Sequence, residues 1–61
     1  MKPYFEMTEA EQLDFGQEVS TDPTLNGFER QGRPLTNCEM HAATQWRDDQ
    51  RRKAKKVLEE L

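Results

Sequence analysis

The sequence predicts an all-α fold with two main helices, at about residues 8–20 and 37–61, and three observations carry that reading. The chain has no isoleucine and two valines, so the side chains that favour strands are scarce, while Glu, Gln, Ala, Leu, Lys and Arg are plentiful. Two capping signatures stand before apolar-periodic runs, Thr8 with Glu11 and Thr36 with Glu39. From Asn37 to Leu61 no Gly or Pro interrupts the pattern.

In order along the chain, residues 1–7 form an N-terminal arm in which Pro3 opposes a helix start, and Tyr4 and Phe5 are anchors expected to pack on the helices. In the first helix Glu9 and Glu11 lie in the opening turn, where the helix dipole favours negative charge. Ala10 and Leu13 fall to one side, Phe15 and Val19 well round the barrel, an arc too broad for one partner surface. Gly16 costs about 1 kcal/mol against Ala in a helix interior. Close approach of another helix there would explain it; otherwise it only weakens the helix.

Residues 21–36 are the connector. Asp22-Pro23 is a helix-start signal and Gly32 followed by Pro34 a stop, so a short helix from Pro23 to about Arg30 fits, with Leu25 and Phe28 on one face. Asn26-Gly27 opposes it, because that pair favours turns. Then Leu35 precedes the Thr36 cap and Met40 follows it at the fourth helical position, a hydrophobic staple. A helix from Asn37 to about Leu61 would be ~37 Å long at 1.5 Å per residue, more than a globule of this size needs. Part of it must project or meet a partner.

Positions 40, 43, 47, 50, 54, 57 and 61 repeat at 3-4 spacing and hold Met40, Ala43, Arg47, Gln50, Ala54, Val57 and Leu61, with Trp46 and Leu58 alongside. These nine are the candidate interface. The ends are apolar and the middle is polar. The reading is that the N-terminal half packs on its own chain and the remainder on a second copy, which gives a helical homodimer. Trp46 is expected in the core or the dimer seam, beside Tyr4, Phe5 and Phe28.

The basic run Arg51, Arg52, Lys53, Lys55 and Lys56 is a candidate electrostatic patch. Acids stand at i,i+4 from it: Asp48–Arg52, Asp49–Lys53, Lys55–Glu59 and Lys56–Glu60. Residues 38–61 carry six basic and five acidic side chains, and residues 1–37 three and seven. A phosphate backbone would meet little sustained positive field, so nucleic acid is disfavoured, and apolar bulk for membrane binding is sparse. Cys38 and His41 are neighbours in the first turn of the long helix, but no third group is evident to orient the imidazole, and one Cys with one His falls short of a structural zinc site. No catalytic, cofactor or metal residues are assigned, and the chain is read as not an enzyme.

Composition sets the frame. Sixty-one residues make a single domain at most, and one this small is marginal alone. Apolar residues are 33% and charged residues 34%, and a single cysteine closes no intramolecular disulfide. Oligomerisation is the remaining common source of stability, with partial disorder the alternative. No run reaches the ~18 apolar residues of a membrane span, and the opening MKPYFEMTEAEQ has no signal-like apolar core, so a cytoplasmic location is expected.

The stretch CEMHAATQWRDDQRRKA, with MTEAEQLDFG before it, resembles the short accessory proteins of lambdoid bacteriophage early regions, encoded between the recombination and excision genes, over about residues 7 to 58. That resemblance implies a small helical dimer made early in infection, which biases the host or the lysis–lysogeny choice by binding proteins. It assigns no functional residues. The expectation is therefore a small regulatory interaction module that binds itself and a further protein. The alternative is a DNA-binding or transcription-modulating helical protein using residues 47–56.

Overall fold

A computed structural model describes residues 2–60 of the chain. Both capping boxes form. Thr8 Oγ1 accepts from the Glu11 amide at 3.2 Å, and Glu11 Oε1 accepts from the Thr8 amide at 3.1 Å. They open helix α1, Glu9–Ser20. Thr36 Oγ1 accepts from the Glu39 amide at 3.2 Å and Glu39 Oε1 from the Thr36 amide at 3.0 Å, which opens helix α2, Asn37–Glu60. Each box satisfies two donors that a helix start leaves without partners. The predicted helix ends agree with these bounds; Leu61 lies outside the described residues.

The connector is a hairpin, which corrects both the short helix considered for residues 23–30 and the purely α class. Strands β1, Glu29–Arg30, and β2, Arg33–Pro34, pair antiparallel with Glu29 opposite Pro34 and Arg30 opposite Arg33. Two local effects outweigh the helix-start signal. Asp22 Oδ1 accepts from the Thr24 amide at 2.8 Å and the Thr24 hydroxyl at 2.6 Å, and the Leu25 amide closes back on the Asp22 carbonyl at 3.1 Å. Asp22-Pro23 thus begins a turn, a role both residues favour as readily as a helix start. Gln31 and Gly32 then take φ of +55° and +78°, the left-handed pair that a two-residue hairpin loop requires.

The two helices cross where Gly16 meets α2. A Cβ built on Gly16 would lie 2.1 Å from the Ala42 carbonyl oxygen and 2.8 Å from Trp46 Cβ, so the backbones approach more closely than any side chain permits. Of the two readings of Gly16, close approach is the one the fold adopts. Val19, Ala42 and Ala43 are buried around this contact, and Leu13, Phe15 and Trp46 are half-buried at its margins. The broad apolar arc of α1 serves two neighbours. Val19 and Gly16 face α2, and Phe15 faces Tyr4 of the arm, with ring centroids 6.2 Å apart.

The arm is tied down through Tyr4, in a 3-10 turn at Tyr4–Glu6. Its hydroxyl donates to Gln45 Oε1, Gln45 Nε2 donates to Gln12 Oε1 at 3.3 Å, and Gln12 Nε2 donates to the Tyr4 carbonyl at 3.1 Å. Burial pushes the Tyr4 phenol above its usual pKa, with the neighbouring Cys38 adding to the effect. Phe5 was expected to anchor alongside it. Instead it is 84% exposed and touches Tyr4 edge-on, because consecutive residues of a tight turn point in different directions. Trp46 forms no aromatic pair with Tyr4, Phe5 or Phe28 among the described residues; it lies beside Gly16 on the face of α2 turned to α1.

Gly16→Ala gains about 1 kcal/mol of helix propensity but drives a methyl into a backbone carbonyl, and overpacking costs about 1–3 kcal/mol or more. The expected net loss is about 1–2 kcal/mol in urea denaturation; a variant as stable as the parent would show that the helices do not meet there.

Candidate functional site

The polar centre of the molecule is Glu39, 3% exposed. Because Arg30 and Arg33 are cross-strand partners, both guanidinium groups project from one face of the hairpin. Arg33 donates to Glu39 through two nitrogens, Nη1 to Oε1 at 2.7 Å and Nη2 to Oε2 at 3.0 Å, and Arg30 Nη1 donates to Oε2 at 3.0 Å. With the Thr36 amide, the carboxylate accepts four bonds and is saturated. Arg30 continues the network, donating from Nε to Asp22 at 2.7 Å and from Nη2 to Glu18 at 2.6 Å. Arg33, then the Thr36 cap and Arg30, hold the Glu39 carboxyl far below its ordinary pKa against the opposing effect of burial. The contacts with Glu39, Glu18 and Asp22 raise Arg30 in turn. Thr24, with Arg30 behind it, lowers Asp22.

The sequence signals Glu39 as a helix-cap residue, and the cap is only half of what it does. Sequence spacing gave no sign that Arg30 and Arg33 would converge on it, because the convergence depends on the hairpin. The buried Glu39 carboxylate is fully satisfied, while Arg33 and Glu18 complete their hydration at the surface, so the cluster ties elements of the fold together rather than presenting a free reactive group.

Cys38 is half-buried on the side of Tyr4 and Phe5, and His41 is exposed. His41 meets Tyr4 edge-on at 5.6 Å. Among the described residues no group of three or more His, Cys, Asp or Glu is placed to hold a metal ion.

The nine candidate interface residues divide along α2. Met40, Ala43 and Arg47 line a cleft with Leu25, Phe28 and Leu35 under the connector. Ala43 is buried within its own chain there. Trp46 and Gln50 line the groove between α2 and α1, with Leu13 and Asp49. Ala54, Val57 and Leu58 stand beyond this body on a stretch, residues 51–60, in which every residue is exposed. Leu61 lies outside the described residues.

The five bases of the electrostatic patch are on that same stretch. Of the four i,i+4 ion pairs expected, Asp49–Lys53 forms, at 3.0 Å. Asp48 approaches Arg51, and Asp49 approaches Arg52, each at 3.9 Å and i,i+3. Lys55–Glu59 and Lys56–Glu60 are not paired among the described residues. On a fully solvated helix such pairs are worth little, so the side chains are free to choose i,i+3, i,i+4 or water.

Two outcomes follow. Glu39 has a folded pKa below its unfolded one, so its contribution is complete above the ordinary carboxylate range and is lost as pH falls through that range toward its folded value. Glu39→Gln should cost on the order of 2 kcal/mol at pH 7, less than a fully buried pair because Arg33 is half in water, and should flatten the acid limb of a stability-against-pH curve. An unchanged acid limb would contradict the assignment. Cys38→Ser and His41→Ala should leave the helical circular dichroism intact, with at most about 1 kcal/mol lost from the His41–Tyr4 contact; stoichiometric zinc bound at micromolar affinity by the parent would overturn this reading.

Comparison of the chain with protein-family models, with curated proteins and with solved structures gave no match.

Proposed function

We propose that the chain is a small non-enzymatic interaction module that binds proteins, itself among them, through the projecting part of α2. One observation carries this reading: Val57 and Leu58 are 58% and 72% exposed on a helix that runs past the body it belongs to. The molecule extends 42 Å along its longest axis and 15 Å along its shortest, which fits an arm rather than a helix wrapped into a core. On the resemblance to phage early-region proteins, the further partner is a host or phage protein and the consequence a bias in phage development.

A second reading has one feature in its favour. Arg51, Arg52, Lys53, Lys55 and Lys56 are all exposed, and Lys55 and Lys56 make no ion pair with Glu59 and Glu60 among the described residues. A DNA-binding or transcription-modulating role would use these side chains with Arg47. Against it stand Asp48, Asp49, Glu59 and Glu60 on the same helix and a net charge of −3.

The double variant Val57→Asp/Leu58→Asp should keep the circular dichroism of the parent and lose partners captured by immobilised parent protein from a bacterial lysate. Capture undiminished by the substitutions would refute the arm as the binding surface. Binding of duplex DNA should stay in the non-specific range, about 10⁻⁴–10⁻⁶ M at ~150 mM salt; sub-micromolar, sequence-dependent binding would favour the second reading.

A further inference from the structure

The 3-4 pattern places Gln50, at the edge of the groove with α1, and Ala54 and Val57 of the exposed stretch on one stripe, flanked by Lys53 and Glu60 on one side and Arg51 and Leu58 on the other. We propose that this stripe pairs antiparallel with the same stripe of a second copy, about a twofold axis between residues 55 and 56. Ala54 then meets the partner's Val57, and Lys53 meets the partner's Glu60. The inference rests on the binding role given to the arm above, and deepens it by naming the occupant and the register.

Charge selects this arrangement. The arm carries five bases at 51–56 and two acids at 59–60. Reversing one copy lays the acidic end of each over the basic start of the other. In an antiparallel helix pair like flanks face each other, so the twofold axis makes the Lys53–Glu60 contact twice. On the opposite flank Arg51 meets Leu58, whose apolar surface its aliphatic stem can cover while the guanidinium stays in water. A parallel pair meets neither condition. It sets Arg47 against its own copy, and it faces the Lys53 flank with the Leu58 flank, which offers no opposite charge.

The fold leaves room for this pairing. The groove with α1 is lined by Trp46, Asp49, Gln50 and Lys53, so α1 occupies the neighbouring side of α2, and at Ala54 and Val57 the stripe lies beyond that groove. In the antiparallel register the two bodies sit at opposite ends of the pair. Lys53 holds Asp49 at 3.0 Å with one of its three donors, and Glu60 makes no ion pair among the described residues. The contact is short, about 16 Å of helix per copy at 1.5 Å per residue. It is smaller than a standard interface, so the dimer is weak.

Sedimentation equilibrium at low salt tests this on the parent chain, on Lys53→Glu, on Glu60→Lys, and on an equimolar mixture of the two variants. The parent should dimerise reversibly. Each variant alone puts like charges at both contacts and should weaken dimerisation by about fivefold or more. The mixture should recover the parent's affinity, because the unlike pair then has opposite charges at both contacts. Circular dichroism verifies that both variants, altered at exposed positions, remain helical. A parent that is monomeric at ~500 µM, or a mixture no tighter than its components, overturns the proposal. The lysate capture with Val57→Asp/Leu58→Asp separates the two readings: a monomeric parent with capture lost overturns self-pairing alone, and a restored mixture with capture undiminished overturns the further-partner role alone.

Discussion

The contact on which the rest of the structure depends is the crossing at Gly16. A chain with so few large apolar residues cannot hold two helices together through a thick layer of side chains. It brings the backbones together instead, with Gly16 against Ala42 and Trp46 and with Val19 and Ala43 filling the sides. Dispersion and burial then act over a small but closely packed area. The glycine that weakens α1 as an isolated helix is what lets α1 dock at all.

That crossing fixes where the N-terminus of α2 lies, and the polar network builds on it. Glu39 is buried at the end of the contact, where an unpaired carboxylate would be costly. The hairpin supplies two guanidinium groups to it, and Arg30 in turn reaches Glu18 on α1 and Asp22 in the turn. One carboxylate therefore joins the helix cap, the hairpin and the first helix. A buried ion network of this kind adds less net stability than its number of bonds suggests, because desolvation offsets much of the attraction. Its geometric effect is the larger one, since few other placements of the hairpin satisfy all four oxygen contacts at once.

The division of labour along α2 follows. Its first half is committed to the body of the molecule through Glu39, Ala42, Ala43 and Trp46. Its last turns, from Ala54 on, lie beyond the groove with α1 and carry the exposed Val57 and Leu58 among mixed charges. The proposed binding role would use both parts: the body would orient the helix, and the arm would present a thin apolar stripe whose charged flanks restrict what can pair with it.

Local signals in the sequence determined the helices. Thr8–Glu11 and Thr36–Glu39 are capping pairs whose geometry is complete within four residues, and the uninterrupted run after Asn37 leaves the backbone no better option than a helix. Gly16 was legible as a question, since a mid-helix glycine needs a neighbour or is a flaw, and the neighbour is set by the fold. Only the tertiary structure decided the connector, where Asp22-Pro23 begins a turn and Gln31-Gly32 close a hairpin, because Asp-Pro serves helix starts and turns alike and a Gly before a Pro can end a helix or turn a hairpin. It also decided the roles of Tyr4 and Phe5, which are adjacent and similar in character, yet one is buried and the other exposed. The Arg30–Glu39–Arg33 network lay furthest from reach. Its members are separated by three to nine positions on different elements, and nothing periodic links them; their meeting is a property of the hairpin's register and of the helix crossing that places Glu39 beneath it.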